Sequence, residues 1–472
     1  MRELTAGALA VLAGARLAGD AGVPVGPDVV IDSRAVTPGA VFVALQGERV
    51  DGHDFAATAV AAGAGAVLVS SELDLDVAQL VVDDTLAGLA TLATALVAEA
   101  IPRGLVTVGI TGSSGKTSTK DLLAQVLAEV GPTVAPIGSF NNEIGVPLTA
   151  TRITGETRFL VSEMGARGQR HITFLCGIAQ PRVGVVVNVG HAHLGEFGSV
   201  EAIAQAKGEL VEALPADGWA VLNADDPLVS AMATRTVARV ASFAVGAEPA
   251  SGDLRVWAEE VGYDGLQRPT FVLRAAGTDE GAATVQLKVT GAHQVGNALA
   301  AAAVALTQGM GVVDVAAALG RATLQSHWRM ELHEREDGVL VVNDAYNANP
   351  DSMAAALRTV ASLRRPHGRL LAVLGDMLEL GPDAPAAHRE IGALAAALGF
   401  DRLIAVGGHA NDLVHGAGAG VDASVAVDSD AATAAAAVWL RPADVVLVKA
   451  SRGLALESVA EQLSMAPEGE RE

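Results

Sequence analysis

Leu105-Val106-Thr107-Val108-Gly109-Ile110-Thr111-Gly112-Ser113-Ser114-Gly115-Lys116-Thr117 is the stretch whose reading decides the fold. A continuous apolar run, a glycine-rich turn and a helical stretch in that order describe a buried parallel strand feeding a helix through a tight loop. In that setting the glycines let backbone N–H groups approach phosphate oxygens at the positive end of the helix dipole. Lys116 is then placed to reach the outer phosphates, and the Thr117 hydroxyl to bind Mg2+. The longer G-x-x-x-x-G-K-[ST] spacing is not met, because Ile110 stands five before Gly115; the shorter G-x-x-G-K-T form is present. The bland alternative is a tight strand-to-helix turn carrying a solvated lysine.

Working outward, the pattern repeats on both sides. Residues 1–103 open with an Ala-rich helical stretch. Short Val-rich runs at Val29-Val30-Ile31, Val41-Phe42-Val43, Ala66-Val67-Leu68-Val69 and Leu80-Val81-Val82 follow, and Ile101-Pro102-Arg103-Gly104 closes the unit. Residues 104–325 carry the loop and further apolar strands at Arg158–Val161 and Val183–Val187. A polar-interrupted, antiparallel excursion is expected around 250–290, and then a helix from Asn297 to Leu306. Residues 326–472 restart with apolar runs at 339–342, 370–374, 403–406 and 445–448, separated by helical stretches, which predicts a second doubly wound, Rossmann-like unit. The expected fold class is α/β in three domains, and 472 residues suit about three units at roughly 150 residues each.

Composition narrows the partners. A net charge of −22 argues against a general nucleic-acid binder, which needs a broad basic face. The one cysteine, Cys176, rules out an internal disulfide framework and reads as a small buried hydrophobe. No run of about 18 strongly apolar residues marks a membrane span, and the N-terminus lacks a signal peptide's pattern, so a cytoplasmic protein is expected. There are 27 arginines and five lysines: Lys116, Lys120, Lys207, Lys288 and Lys449. Where arginine is the default cation, a retained lysine marks a place for a compact or titratable amine.

Several segments, taken with the short loop, carry a resemblance. They are Ser139-Phe140-Asn141-Asn142-Glu143-Ile144-Gly145, Ser162-Glu163-Met164-Gly165, Asn188-Val189-Gly190-His191-Ala192-His193, Ala206-Lys207-Gly208, Asn223-Ala224-Asp225-Asp226-Pro227, His293 to Asn297 and His327-Trp328-Arg329. In this order the chain resembles the Mur ligases and their folylpolyglutamate synthase relatives. The resemblance implies ATP binding by Gly112, Ser113, Ser114, Gly115, Lys116, Thr117, Ser118, Asn297, Arg329, Asp344 and Asn347. It implies Mg2+ held by Thr117, Glu163 and His193, with His191 as the decoy, and a carbamylated lysine at Lys207. Lys116, His193, Lys207 and Arg329 would carry catalysis, and Asn142 would lie near the substrate carboxylate. On residues alone, Asn-Ala-Asp-Asp also makes a good turn and helix cap.

Two ends of the chain point to a branch of the family. Asp32-Ser33-Arg34 leading into Asp51-Gly52-His53-Asp54-Phe55 resembles the UDP-sugar-binding domain of the later ligases, with Ser33 and Arg34 as contacts. Asp344-Ala345-Tyr346-Asn347-Ala348-Asn349-Pro350, Gly375-Asp376-Met377 and Lys449-Ala450-Ser451-Arg452 resemble the branch that adds D-alanyl-D-alanine. Lys449, Ser451 and Arg452 are then candidates for the acyl phosphate or the dipeptide. The implied reaction joins D-Ala-D-Ala to a UDP-muramoyl-tripeptide through an acyl phosphate, in peptidoglycan precursor synthesis, and a monomer is expected. A ligase adding a dibasic amino acid to the dipeptide is the near alternative, although its Asp-Asn-Pro-Arg motif is missing. A P-loop NTPase switch is the alternative of another class.

Overall fold

The computed structural model describes residues 1–47, 49–190, 194–278 and 280–465. Near the N-terminus, Arg16–Ala18, Ala78–Val81, Ala66–Val69, Val41–Val43 and Val29–Val30 form a sheet in that order, parallel except for its first pair. The helix Thr85–Ala100 starts on an Asp84 cap that accepts from Leu86 and Ala87 N–H. With the turn after it, this helix is long and apolar enough by composition to cross a membrane. Leu89, Leu92, Leu96 and Val97 are instead buried in a core shared with Leu160, Met164 and Leu175 of the following unit. Cys176 belongs to that core, 3.8 Å from the Met164 sulfur, and burial pushes its thiol up to about 12.

The central unit is built on β1 (Val106–Thr111), which the glycine loop joins to α1 (Lys116–Ala128). β2 (Phe159–Glu163) and β3 (Val183–Val186) pair with β1 on either side, both parallel to it. The chain therefore crosses from one side of β1 to the other between β2 and β3. That reversal opens a crevice at the strands' C-terminal ends, where ligands of such sheets bind. Among the described residues nine strands form this sheet. The excursion expected around 250–290 is part of it: Leu254–Tyr263 runs parallel to Arg239–Val245, and only Pro269–Gly277 and Gly281–Gln286 turn antiparallel. α2 (Val200–Glu212) covers one face and α3 (His293–Thr307), almost wholly apolar, is buried on the other.

The last unit has β4 (Leu340–Asn343), α4 (Pro350–Ser362), β5 (Leu370–Gly375) and β6 (Val445–Lys449) near its centre. Its sheet order is Glu331–Glu334, β4, β6, β5, Arg402–Val406, Asp422–Ala426, parallel apart from the first strand. The C-terminal ends of β4, β5 and β6 face the crevice beyond β1. All three units contribute to one cavity of about 850 Å3, from Ile31 through Lys116 and Asn188 to Asp344 and Arg452.

Candidate active site

The loop between β1 and α1 is held by its neighbours. Ser113 N–H donates to the Asn188 carbonyl at 3.1 Å and Ser114 N–H to Asn188 Oδ1 at 2.9 Å, while Gly190 N–H donates to Ser113 Oγ at 2.8 Å. Those two amides are thus spent on the loop's own shape. The N–H groups of Gly115, Lys116, Thr117 and Ser118 find no protein acceptor among the described residues, and no side chain caps the helix. An uncapped helix start at the end of a buried strand is an anion site. Gly115 has φ +79°, and a Cβ there would lie 2.5 Å from Asn297 Oδ1. Glycine is required on both counts, since α3 approaches the loop through Asn297.

One carboxylate organises the metal-like corner. Glu163, at the end of β2 and 1% exposed, accepts the Thr117 hydroxyl at 2.9 Å and the Asn141 amide at 2.8 Å. Ser139 Oγ lies 2.9 Å from Thr117 Oγ1. These hard oxygens suit Mg2+, which takes one or two carboxylates and completes its shell with water and phosphate. His193, the third expected ligand, lies outside the described residues, as does His191. Among the described residues no group of three or more His, Cys, Asp or Glu side chains is arranged to hold a metal ion. Asn142, expected near the substrate, lines the cavity, and its Oδ1 accepts from Gly145 N–H at 2.9 Å. Its neighbour Asn141 is the one that reaches Glu163.

Two cations, Lys116 and Arg329, stand close to this carboxylate, and a third, Lys207, lies near Lys116 without lining the cavity. The Lys116 ammonium turns back onto the Gly112 carbonyl at 2.6 Å, and burial lowers its pKa despite Glu163 nearby. Lys207, on α2 and 2% exposed, makes no hydrogen bond or ion pair among the described residues. Burial and the neighbouring Lys116 hold its pKa well below the ordinary lysine value. Arg329 donates to Thr117 Oγ1 and Ser139 Oγ, each at 3.2 Å, and its Nε is buried without a partner among the described residues. A cavity that Lys116, Arg167, Arg329, Lys449 and Arg452 line, beside an open helix start, suits a polyanion such as a nucleoside triphosphate.

The other expected residues divide. Asn297 and Ser118 line the cavity, and Asn297 also accepts from Thr119 at 3.3 Å. Asp344 and Lys449 face each other at 2.6 Å; Asp344 also accepts Met330 N–H, and Lys449 donates to the Asn347 carbonyl at 2.9 Å. Ser451 accepts from Leu378 N–H at 3.0 Å. These polar groups at the ends of β4 and β6 brace one another at the cavity wall. Arg452 lines it and pairs with Glu457. Ser33 and Arg34 do not line it: Arg34 is exposed and clasped by Asp32 at 2.7 Å, and Ile31 is the residue of that segment reaching the wall. Asp226 caps a helix, as its turn chemistry suggests, while also accepting Val189 N–H at 2.7 Å.

Comparison with known proteins agrees with this geometry. Residues 28–100 match the Mur ligase family, catalytic domain; residues 110–305 match the Mur ligase middle domain; residues 328–452 match the Mur ligase, glutamate ligase domain. The UDP-N-acetylmuramoyl-tripeptide–D-alanyl-D-alanine ligase of Mycobacterium tuberculosis is 48% identical over 92% of this chain and 91% of its own. This chain belongs to the Mur ligase family. The Escherichia coli ligase of the same description is 37% identical over 92% of this chain and 93% of its own. A crystal structure of MurF from Acinetobacter baumannii superposes with a TM-score of 0.85 at 30% identity, covering 98% of this chain and 99% of that one. The MurF ligase of Thermotoga maritima in complex with ADP gives 0.77 at 30% identity, covering 93% and 97%. As a Mur ligase, the chain is an ATP-dependent, amide-forming ligase.

Proposed function

We propose that this Mur ligase adds D-alanyl-D-alanine to the tripeptide of a UDP-N-acetylmuramoyl-tripeptide, driven by ATP, in peptidoglycan precursor synthesis in the cytoplasm. The observation that carries the reading is full-length similarity to ligases of that description, joined to a cavity in which Lys116, Arg329, Thr117 and Glu163 converge. The working unit is a monomer of three domains, 1–103 binding the UDP-sugar, 104–325 binding ATP and 326–472 receiving the amine.

The tripeptide's terminal carboxylate attacks the γ-phosphorus of ATP, its bond to the bridging oxygen breaks, and ADP leaves. Lys116, Arg329 and the α1 N–H groups face the oxygens over which charge spreads. Mg2+, when bound, would supply charge neutralisation there, and Thr117 and Glu163 with His193 would hold it. The amine of D-Ala-D-Ala then attacks the acyl carbon and phosphate departs with the C–O electrons. Lys207 is a fitting site for carbamylation, since burial disfavours its ammonium and so favours the neutral amine that takes up CO2. Carbamylation would put an anion in place of that amine. Ser33 and Arg34 would meet the nucleotide end of the substrate beyond the cavity.

The test is phosphate release from ATP and Mg2+ with UDP-muramoyl-tripeptide, with and without D-Ala-D-Ala, and product identification by mass. Dipeptide-dependent release and a pentapeptide product are expected. Turnover only with a UDP-muramoyl-dipeptide and a dibasic amino acid would refute the reading.

A further inference from the structure

Trp328-Arg329-Met330 enters the last unit in an unusual backbone: Trp328 has φ +59° and Met330 φ +51°. Left-handed residues other than glycine persist where their surroundings over-determine them. Here the Trp328 carbonyl accepts Tyr346 N–H at 3.3 Å, and Met330 N–H donates to Asp344 Oδ1 at 3.1 Å. The segment after β4 therefore grips the backbone on both sides of Arg329, through Tyr346 N–H and the Asp344 carboxylate.

The side chains continue that grip. The Trp328 and Tyr346 rings stack with centroids 6.4 Å apart and planes 27° apart. The Arg329 guanidinium carbon sits 4.2 Å from the Tyr346 ring centre, and that of Arg452 sits 4.4 Å from the Trp328 ring centre. The contacts run Arg452, Trp328, Tyr346, Arg329. One end of the series bonds Thr117 and Ser139 beside the open helix start; the other lines the cavity in the loop after β6. The chain has only four tryptophans and two tyrosines, and one of each is committed to this stack. Trp328 itself does not line the cavity.

We propose that Trp328 is a positioning residue that ties Arg329, at the phosphate end, to Arg452, at the amine end. Through the two rings, the seating of Arg329 against Thr117 and the placement of Arg452 become one event. The acyl phosphate then forms only when the amine end is also in order. The inference rests on the ligase reading for its choice of amine.

The experiment compares Trp328→Leu, which fills space without a π face, with Trp328→Phe, which keeps one. Two quantities are read: the affinity for D-Ala-D-Ala by calorimetry, with tripeptide and a non-hydrolysable ATP analogue bound, and phosphate released per amide formed. In Trp328→Leu the dipeptide affinity should fall about five-fold, the size of one cation–π contact. Phosphate released per amide should rise, as water cleaves acyl phosphate to carboxylate and phosphate. Trp328→Phe should restore most of both. Tyr346→Leu, removing the other ring, should reproduce the leucine effect and gives the answer if Trp328→Leu does not fold. Wild-type affinity and coupling in the leucine variants, or equal damage in leucine and phenylalanine variants, overturns the proposal. If the wild-type enzyme itself makes no pentapeptide, the ligase reading has failed instead.

Discussion

Arg329 and Thr117, 212 positions apart, meet at 3.2 Å, so the last unit reaches the glycine loop and helix start of the central one. The Arg329 Nε beside them has no partner among the described residues. A buried donor left open in this way is aimed at something the protein does not supply, and a transferring phosphoryl group fits.

Arg329→Ala should therefore act on the chemical step. We expect kcat to fall by about 10²–10³, as when one preorganised donor is lost. KM for the tripeptide should change little, and the melting temperature should stay close to wild type. Rapid-quench measurement of acyl-phosphate formation checks the assignment; an unchanged rate there would place Arg329 outside the phosphoryl transfer.

Asp121 is the anchor of the passage into the last unit. Buried on α1, it pairs with Lys120 at 2.6 Å and accepts from Gln325 N–H, Ser326 N–H and Ser326 Oγ. Asp121→Ala leaves the Lys120 ammonium buried without its carboxylate and frees the 325–326 segment. A loss of about 3 kcal/mol in unfolding free energy is expected, the cost of breaking a buried pair on one side. Denaturant titration measures it, and a change under about 1 kcal/mol would show that the anchor is dispensable.

Gly115→Ala tests the closeness of α3. The new methyl would meet Asn297 Oδ1 in a backbone that already favours glycine. Fluorescent ATP-analogue binding should weaken about ten-fold or more, with the wild-type circular dichroism spectrum retained, because a left-handed non-glycine residue costs about 1–2 kcal/mol before any clash.

Much of this was legible in the sequence, for a physical reason. Parallel strands covered on both faces are continuous apolar runs, so β1, β2, β3, β4, β5 and β6 are visible as such. The strand Asp422–Ala426 at the sheet edge is polar at every other turn and gives no such signal. In the site, residue type and motif order locate Lys116, Thr117, Glu163 and Arg329. They do not show that Asn141, next to Asn142 on the same loop, reaches Glu163, because that depends on which side of the loop faces β2. Nor does the sequence show that Lys449 spends its donors on Asp344 and Asn347, or that Trp328 and Tyr346 stack. Those relations come from strand order, which brings the ends of β4 and β6 side by side.

His388 supplies a pH-dependent prediction at the far wall of the last unit. Its Nδ1 donates to the Ala384 carbonyl at 2.6 Å and its Nε2 accepts Met377 N–H at 2.9 Å, so the ring must be neutral. Burial lowers its pKa below the ordinary value of 6.5; the stacked His409 acts in the same direction, and the Ala384 bond, Asp376 and Asp412 oppose it. As pH falls below about 6.5 the unfolded chain takes up a proton that the folded protein refuses, so stability is lost as the solution acidifies. Met377 precedes Leu378 and Glu379, which line the cavity, so protonation would also release that wall. His388→Phe should be less stable than wild type at pH 7.5 but lose less between pH 7 and pH 5.5. Melting temperatures of both proteins across that range settle the point: parallel curves would mean that His388 does not carry the titration.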